Sequence, residues 1–271
     1  MTELKTYPRV LTIAGSDSGG GAGIQADIKS ISANGCYAAS VITALTAQNT
    51  LGVTGIHPVP VDFVAAQMDA VLGDIGADAV KIGMLFSPEL IRTVAQGLAR
   101  HGVRTVVLDP VMVAQSGDKL LQDEAIDALK RELVPMATLI TPNLPEASVL
   151  LGRAIGTAEE ARAAATDLAA LGCANVLVKG GHLESGDSDD CLLVGAENRI
   201  VTLRGVRIAT RNNHGTGCTL SSAIAANLAR GEDIEAAVRH AKEYISGAIR
   251  AGADYVIGRG HGPVHHFFRF F

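Results

Sequence analysis

The 271 residues are 48% hydrophobic and 19% charged with a net charge of −5, a globular composition in a chain long enough to bury its own core, which excludes a disordered or fibrous protein. Lys and Arg are thinly spread, so no basic stripe points to nucleic acid or a membrane surface, and with Trp absent and aromatics at 4% little is available for stacking bases. Cys36, Cys173, Cys191 and Cys218 form no C-x-x-C pair, Met1 to Val10 carries no apolar leader, and no apolar run approaches a membrane span, so the expectation is a cytoplasmic chain with reduced thiols and no zinc ribbon.

In chain order, the β-branched run Arg9–Ala14 predicts a first strand. A glycine-rich loop over residues 15–23 follows, then a helix begun near Ala22 and ended by Asn34-Gly35. Ala38–Leu45 and Ala79–Met84 predict the next strands. Ser87-Pro88-Glu89 supplies an N-cap, a proline at the first helical position and a first-turn acid, and His101-Gly102 closes that helix. Strands are predicted at Thr105–Val111 and Thr138–Thr141. Thr157-Ala158-Glu159-Glu160 has capping-box spacing, and Leu171-Gly172 ends its helix. A further strand is predicted at Asn175–Lys179. Asp190–Val194 and Arg199–Leu203 flank Gly195-Ala196-Glu197-Asn198 as a hairpin, and Leu220–Ala229 reads as a helix. Several strands are apolar throughout, as strands buried on both faces must be. Strand alternating with helix predicts one α/β domain over residues 1–271, a mostly parallel sheet with helices on both faces. Ligands bind beyond the carboxyl ends of such strands, so the loops there are the places to look for chemistry.

Five of those loops stand out. Gly15-Ser16-Asp17-Ser18-Gly19-Gly20-Gly21-Ala22-Gly23 lets main chain press on a ligand and aim amides at it; otherwise it is a flexible turn. It is neither a Walker A loop nor an in-register G-x-G-x-x-G. Asn212-Asn213-His214-Gly215-Thr216-Gly217-Cys218-Thr219 opens a helix, where free amides and the helix dipole suit a phosphate, and the same field would lower the Cys218 thiol pKa. The plain alternative is an ordinary helix start with a packed Cys. In Thr141-Pro142-Asn143-Leu144-Pro145-Glu146, an amide and a carboxylate three apart suit magnesium, or form an N-cap with a first-turn acid. Lys179, in Val178-Lys179-Gly180-Gly181-His182, ends an apolar strand and points to a phosphate, or snorkels at the surface. Gln48, within residues 43–50, can meet an aminopyrimidine edge two-pronged, or sit in an exposed loop. The pair His265-His266 lacks a nearby Cys or carboxylate cluster and reads as structural.

Together these stretches resemble the hydroxymethylpyrimidine/phosphomethylpyrimidine kinases of thiamin synthesis, in the ribokinase-like superfamily. The resemblance is carried by AGSDSGGGAGIQAD (14–27), VITALTAQNT (41–50), KIGML (81–85), VVLDPVM (106–112), LITPNLPEA (139–147), VKGGH (178–182), HGTGCT (214–219) and GPVHHFF (262–268). It implies a ribokinase-like three-layer sandwich and transfer of phosphoryl groups from ATP, with Mg2+, to the pyrimidine and then to its monophosphate. On matching positions it implies that Gly15, Ala22, Gln48, Met84 and Val111 line the pyrimidine pocket, with Asp27 near the substrate. Lys179 would approach the ATP phosphates with Asn143 and Thr216. Asn143 and Glu146 would act through magnesium, and Asp109 is the weaker candidate for that shell. Gly215, Thr216 and Gly217 would form the anion hole. Where ribokinase-like enzymes usually carry an Asp base, this chain has Cys218, as the pyrimidine kinases do. Relatives are commonly dimers, so the resemblance implies a homodimer. The rival readings are a pyridoxal or pyridoxine kinase on the same fold and a non-catalytic pyrimidine binder.

Overall fold

The computed structural model describes residues 5–112, 123–181 and 188–271. Nine strands form one sheet: β1 (Arg9–Asp17), β2 (Tyr37–Asn49), β3 (Gly52–Pro58), β4 (Ala79–Ile82), β5 (Val106–Leu108), β6 (Leu139–Ile140), β7 (Asn175–Val178), β8 (Asp190–Val194) and β9 (Arg199–Leu203). Their spatial order is β3-β2-β1-β4-β5-β6-β7-β8-β9. From β2 to β7 all neighbours are parallel, while β3, β8 and β9 are antiparallel additions at the two edges. The expected hairpin is β8–β9, turned through Gly195–Glu197 with Asn198 left-handed.

β4 to β7 are shorter than their apolar runs suggest, for a reason that lies at their carboxyl ends, whereas β1 and β2 run on past theirs to Asp17 and Asn49. β5 stops at Leu108: the Asp109 amide still donates to the Ile82 carbonyl at 2.9 Å, but Pro110, which has no N–H to donate, ends the ladder. β6 stops at Ile140 before Thr141-Pro142, and β4 stops before Gly83. No strand is predicted at β3, while the helix after it fits the expected alternation of strand and helix. β3 carries Gly52, Gly55 and Pro58 in place of an apolar run, a composition that only an edge strand tolerates.

The helices are α1 (Gly23–Ala33), α2 (Val61–Asp74), α3 (Pro88–Arg100), α4 (Asp123–Ala128), α5 (Leu144–Leu151), α6 (Ala158–Ala169), α7 (Thr216–Ala229) and α8 (Ile234–Gly252). Ser87 caps α3 by accepting from the Leu90 amide, and Thr157 with Glu160 closes the expected capping box on α6. Side chains alternate across a strand, so β1 sends Leu11 and Ile13 into a core shared with α2, α3 and α4–α6. It sends Val10 to the other face, where α1, α7 and α8 pack with Val107, Ala223 and Tyr244. The result is the expected three-layer α/β sandwich.

The C-terminal segment ties back into the second core. Tyr244 donates to the His266 carbonyl at 2.7 Å, and His266 Nε2 lies 3.1 Å from Thr219 Oγ1. Burial holds the His266 imidazole down at about 4, so it is a neutral packing residue. Among the described residues no cluster of three or more His, Cys, Asp or Glu could hold a metal ion, and no helix is long and apolar enough to cross a membrane. The chain leaves β1 toward β2 on one side, and β4 lies on the other. Crevices form outside the carboxyl ends of strands at such a reversal.

Candidate active site

A cleft of about 660 Å³ opens at that edge. It is lined by the loops after β1, β4, β5, β6 and β7, by the start of α7, and by one side of α8. Gly15, Ala22, Gln48, Met84, Asp109, Val111, Asn143, Glu146, Lys179, Gly215, Thr216, Gly217 and Cys218 all face it. His182, at the end of the fourth motif, lies outside the described residues.

The glycine-rich loop is organised by its own aspartate. Asp17 Oδ1 accepts from the Gly19 amide at 2.8 Å, and Oδ2 accepts from Gly21 at 3.1 Å and Ala22 at 2.8 Å. The amides expected to point at a ligand are therefore turned onto Asp17. His214 Nε2 approaches the same Oδ2 at 2.8 Å, joining this loop to the start of α7. Burial works to raise the Asp17 pKa, but the bonds from His214 and the amides hold it below the usual carboxylate value. Gln48 lies beside this pair. Its Oε1 accepts from Thr46 Oγ1 at 3.0 Å, and its Nε2 is 3.5 Å from His214 Nε2. Gly15 sits under Met84, where a β-carbon would come within 2.7 Å of the Met84 methyl.

α7 begins at Gly215, whose φ of +79° is left-handed. A β-carbon there would lie 1.8 Å from the Gly21 carbonyl oxygen, so only glycine allows both the turn and the contact between the two loops. No side chain caps α7, and its first turn opens into the cleft with the positive end of its dipole. A β-carbon on Gly217 would sit 3.4 Å from Lys179 Nζ and 3.5 Å from Asp109 Oδ2. Helix start, lysine and carboxylate therefore adjoin.

Lys179 extends from the end of β7 and donates to Asp109 Oδ1 at 2.8 Å, with Glu146 Oε2 3.9 Å away. Burial disfavours its charge, but Asp109 and Glu146 outweigh that and raise its pKa. Asp109 is further engaged by Thr141 Oγ1 at 3.0 Å and Ser221 Oγ at 3.3 Å. Asn143 and Glu146 do form an N-terminal cap: the Glu146 amide donates to Asn143 Oδ1, and the Asn143 amide to Glu146 Oε2, each at 2.8 Å. Glu146 nonetheless faces the cleft. Burial first, with Asp109 adding to it against Lys179, pushes its carboxyl up to about 7.

Two expectations are corrected. The helix start does not lower the Cys218 thiol: burial pushes it up to about 11, with Asp27 and Asp109 adding to the rise and Lys81 opposing it. Desolvation of a thiolate at the cleft floor outweighs the helix field. Asp27 does not line the cleft. It is fully buried beneath it and binds Lys81 Nζ through both oxygens, at 2.8 and 2.9 Å.

Sequence reasoning gave no role to Lys81, Asp17, His214, Ser221 or Ser222. A lysine inside an apolar strand was the signal available for Lys81, the same signal that marked Lys179. The far end of the cleft is apolar, with Val206, Ile208, Leu220, Ile245 and Ile249, and carries a Lys242–Asp190 ion pair at 2.6 Å.

The sequence profile of the family described as phosphomethylpyrimidine kinase matches residues 17–265. The hydroxymethylpyrimidine/phosphomethylpyrimidine kinase of Rhizobium meliloti is 55% identical over 260 residues, covering 96% of this chain and 97% of that protein. The thiamine biosynthesis bifunctional protein ThiED of Geobacter sulfurreducens is 54% identical over 263 residues; the match covers 96% of this chain and 53% of that longer protein. Among solved structures, an ADP complex of Bacillus subtilis pyridoxal kinase superposes with a TM-score of 0.90 at 36% identity, covering 98% of this chain and all of that one.

Proposed function

The chain belongs to the phosphomethylpyrimidine kinase family, and from that premise we propose that its cleft transfers the γ-phosphoryl group of ATP to the hydroxymethyl oxygen of 4-amino-5-hydroxymethyl-2-methylpyrimidine, and then phosphorylates the monophosphate to the diphosphate. The observation that carries this reading is convergence. Lys179 from β7, Glu146 from α5 and the uncapped start of α7 with Cys218 come from distant parts of the chain and meet on one wall of one cleft. A pyrimidine binder would need none of that phosphate apparatus. The single sheet running through all nine strands supports treating residues 1–271 as one catalytic domain.

In this reading the pyrimidine lies between Gly15, Ala22, Gln48, Met84 and Val111. The adenine end of ATP rests on the apolar wall of Val206, Ile208, Ile245 and Ile249. Lys179, with Asn143 and Thr216 alongside, holds the phosphates. The α7 amides at Gly215, Thr216 and Gly217 receive charge as it develops on the transferring group, which is where most of the barrier is lowered. The donor set fits a hydrated magnesium ion. Glu146 is a buried carboxylate facing the cleft with only its Oε2 held, by the Asn143 amide, Asp109 is already held by Lys179, Thr141 and Ser221, and an ion that keeps its waters needs one or two carboxylates plus phosphate oxygens. Glu146 would hold it, and the ion would supply neutralising charge to the phosphates. Asp109 orients Lys179 instead.

The chemistry balances simply. A bond forms between the substrate oxygen and the γ-phosphorus, the bond from that phosphorus to the bridging oxygen breaks, and ADP leaves. The hydroxyl proton passes, late in a largely dissociative transfer, to Cys218, which accepts it only in the thiolate form that burial disfavours. The test is a substrate panel with ATP and Mg2+, resolved by product mass, together with Cys218→Ala in a coupled assay. Turnover of Cys218→Ala within about twofold of the parent, under roughly 0.5 kcal/mol of barrier, would overturn the base assignment. The pyridoxal kinase neighbour gives the second reading its one support, and a larger kcat/KM for pyridoxal than for the pyrimidine would favour it. A family likeness to dimers supports a homodimer, and the absence of a membrane-crossing helix among the described residues supports a cytoplasmic location.

A further inference from the structure

We infer that Lys81 is a positioning residue for Cys218: through Asp27 and Ser222 it fixes the first turns of α7, and it sets a permanent positive charge beneath the thiol. β4 turns Val80 and Ile82 into one core, so the pleat directs Lys81 to the other face, under the start of α7. There Lys81 is wholly buried and donates to both oxygens of Asp27 at 2.8 and 2.9 Å. Asp27 is completed by Thr12 Oγ1 from β1 at 2.6 Å and Ser222 Oγ from α7 at 2.7 Å. Ser222 stands one turn beyond Cys218, on the same face of the helix. The ion pair is therefore bolted to the helix that carries the thiol, and Lys81 also forms part of the cleft floor.

A buried ion pair is a poor way to stabilise a fold, since apolar residues of similar volume do as well or better. This one has a local use. Four charged groups act on Cys218: Lys81 from β4, Asp27 from α1, Asp109 after β5 and Lys179 after β7. Both carboxylates disfavour a thiolate. Lys179 is held by Asp109 and Glu146 on the α5 side, and Lys81, itself held by Asp27, is the cation that Ser222 and Asp27 tie to α7. The inference rests on the reading of Cys218 as proton acceptor, and its test is chosen to separate the two.

The test is the pH dependence of alkylation of Cys218 by iodoacetamide, read by peptide mass spectrometry. Cys36, Cys173 and Cys191 are buried and report unfolding by becoming reactive. Lys81→Met should raise the alkylation midpoint by one unit or more, slowing the reaction about tenfold per unit below it. Asp27→Asn keeps the size and one of the two acceptor oxygens that Lys81, Thr12 and Ser222 donate to while removing the anion, and should shift the midpoint down. Opposite signs cannot come from general loosening, and Asp27→Asn decides the matter if Lys81→Met does not fold. A midpoint unmoved in Asp27→Asn, or moved upward in both variants, overturns the inference. If the opposite shifts hold while Cys218→Ala keeps its turnover, the base assignment fails and the coupling of Lys81 to the thiol stands.

Discussion

Asp17 and His214 stand 197 positions apart in the chain, and their side chains meet at 2.8 Å. The contact binds the glycine-rich loop to the start of α7, and so joins the two parts of the cleft proposed to hold the pyrimidine and the phosphates. Asp17→Ala would leave the buried Gly21 amide, and the more open amides of Ala22 and Gly19, without their acceptor. We expect a stability loss of about 1–3 kcal/mol by urea unfolding at pH 7, and a pyrimidine KM raised more than kcat is lowered. The pKa of Asp17 is depressed in the fold. Its contribution is therefore present above the ordinary carboxylate value and lost as pH falls through the depressed one. The difference between parent and Asp17→Ala should accordingly shrink in acid; a constant difference down to pH 2 would count against the assigned bonds.

Gly215→Ala tests the same junction from the other side. The variant must hold alanine at a φ of +79° and find room for a β-carbon 1.8 Å from the Gly21 carbonyl. Strain at one such backbone position costs on the order of 1–3 kcal/mol, and relieving the clash must move either the loop or the helix start. The expected result is a lower Tm together with a kcat reduced at least about tenfold with both substrates saturating. A lower Tm with full kcat would mean that the helix start does not bear on the transferring group.

How far the sequence discloses this site differs from residue to residue. The inner strands are legible because burial on both faces demands runs of Val, Ile and Leu, as in β5 and in β7 after Asn175. β3 is not, because an edge strand carrying Gly52, Gly55 and Pro58 has no such demand on it. Lys179 and Glu146 are legible as polar residues in special places, a strand end and a helix start. The Asp17–His214 and Asp27–Ser222 contacts are not, because nothing local relates residues nearly two hundred positions apart. Cys218 shows a different limit. A helix start predicts a lowered thiol pKa, but the burial that reverses the sign depends on how α7 is packed, which only the assembled layers determine.

Lys179→Met should act almost wholly on kcat. The ammonium is placed by Asp109 at 2.8 Å beside the α7 start, where charge on a transferring phosphoryl group would be greatest. Loss of one such preorganised partner costs about 10²–10³ in rate. Lys179→Arg should not restore it, because a planar fork cannot replace a compact ammonium in the space between Asp109 and Gly217. Steady-state rates at saturating ATP measure both. A change confined to the KM for ATP would show that Lys179 only helps to bind the nucleotide.

Glu146 makes activity and stability run in opposite directions with pH. Its carboxyl is pushed up to about 7, from an ordinary value of 4.5, and the charged form is the one that would hold magnesium. Below pH 7 kcat/KM should therefore fall, approaching tenfold per unit, and Glu146→Gln should be slow throughout with that limb flattened. For folding the sign is the reverse. The native state holds this proton more tightly than the unfolded chain does, so the group's contribution to stability is complete below the unfolded value and is lost as pH rises to about 7. Urea midpoints of parent and Glu146→Gln at pH 5 and pH 8 isolate this, since the other titrating groups are common to both. The parent should lose more stability than the variant between the two pH values. Equal losses would place the Glu146 titration outside that interval, and would remove the carboxylate as the origin of the acid limb in the rate.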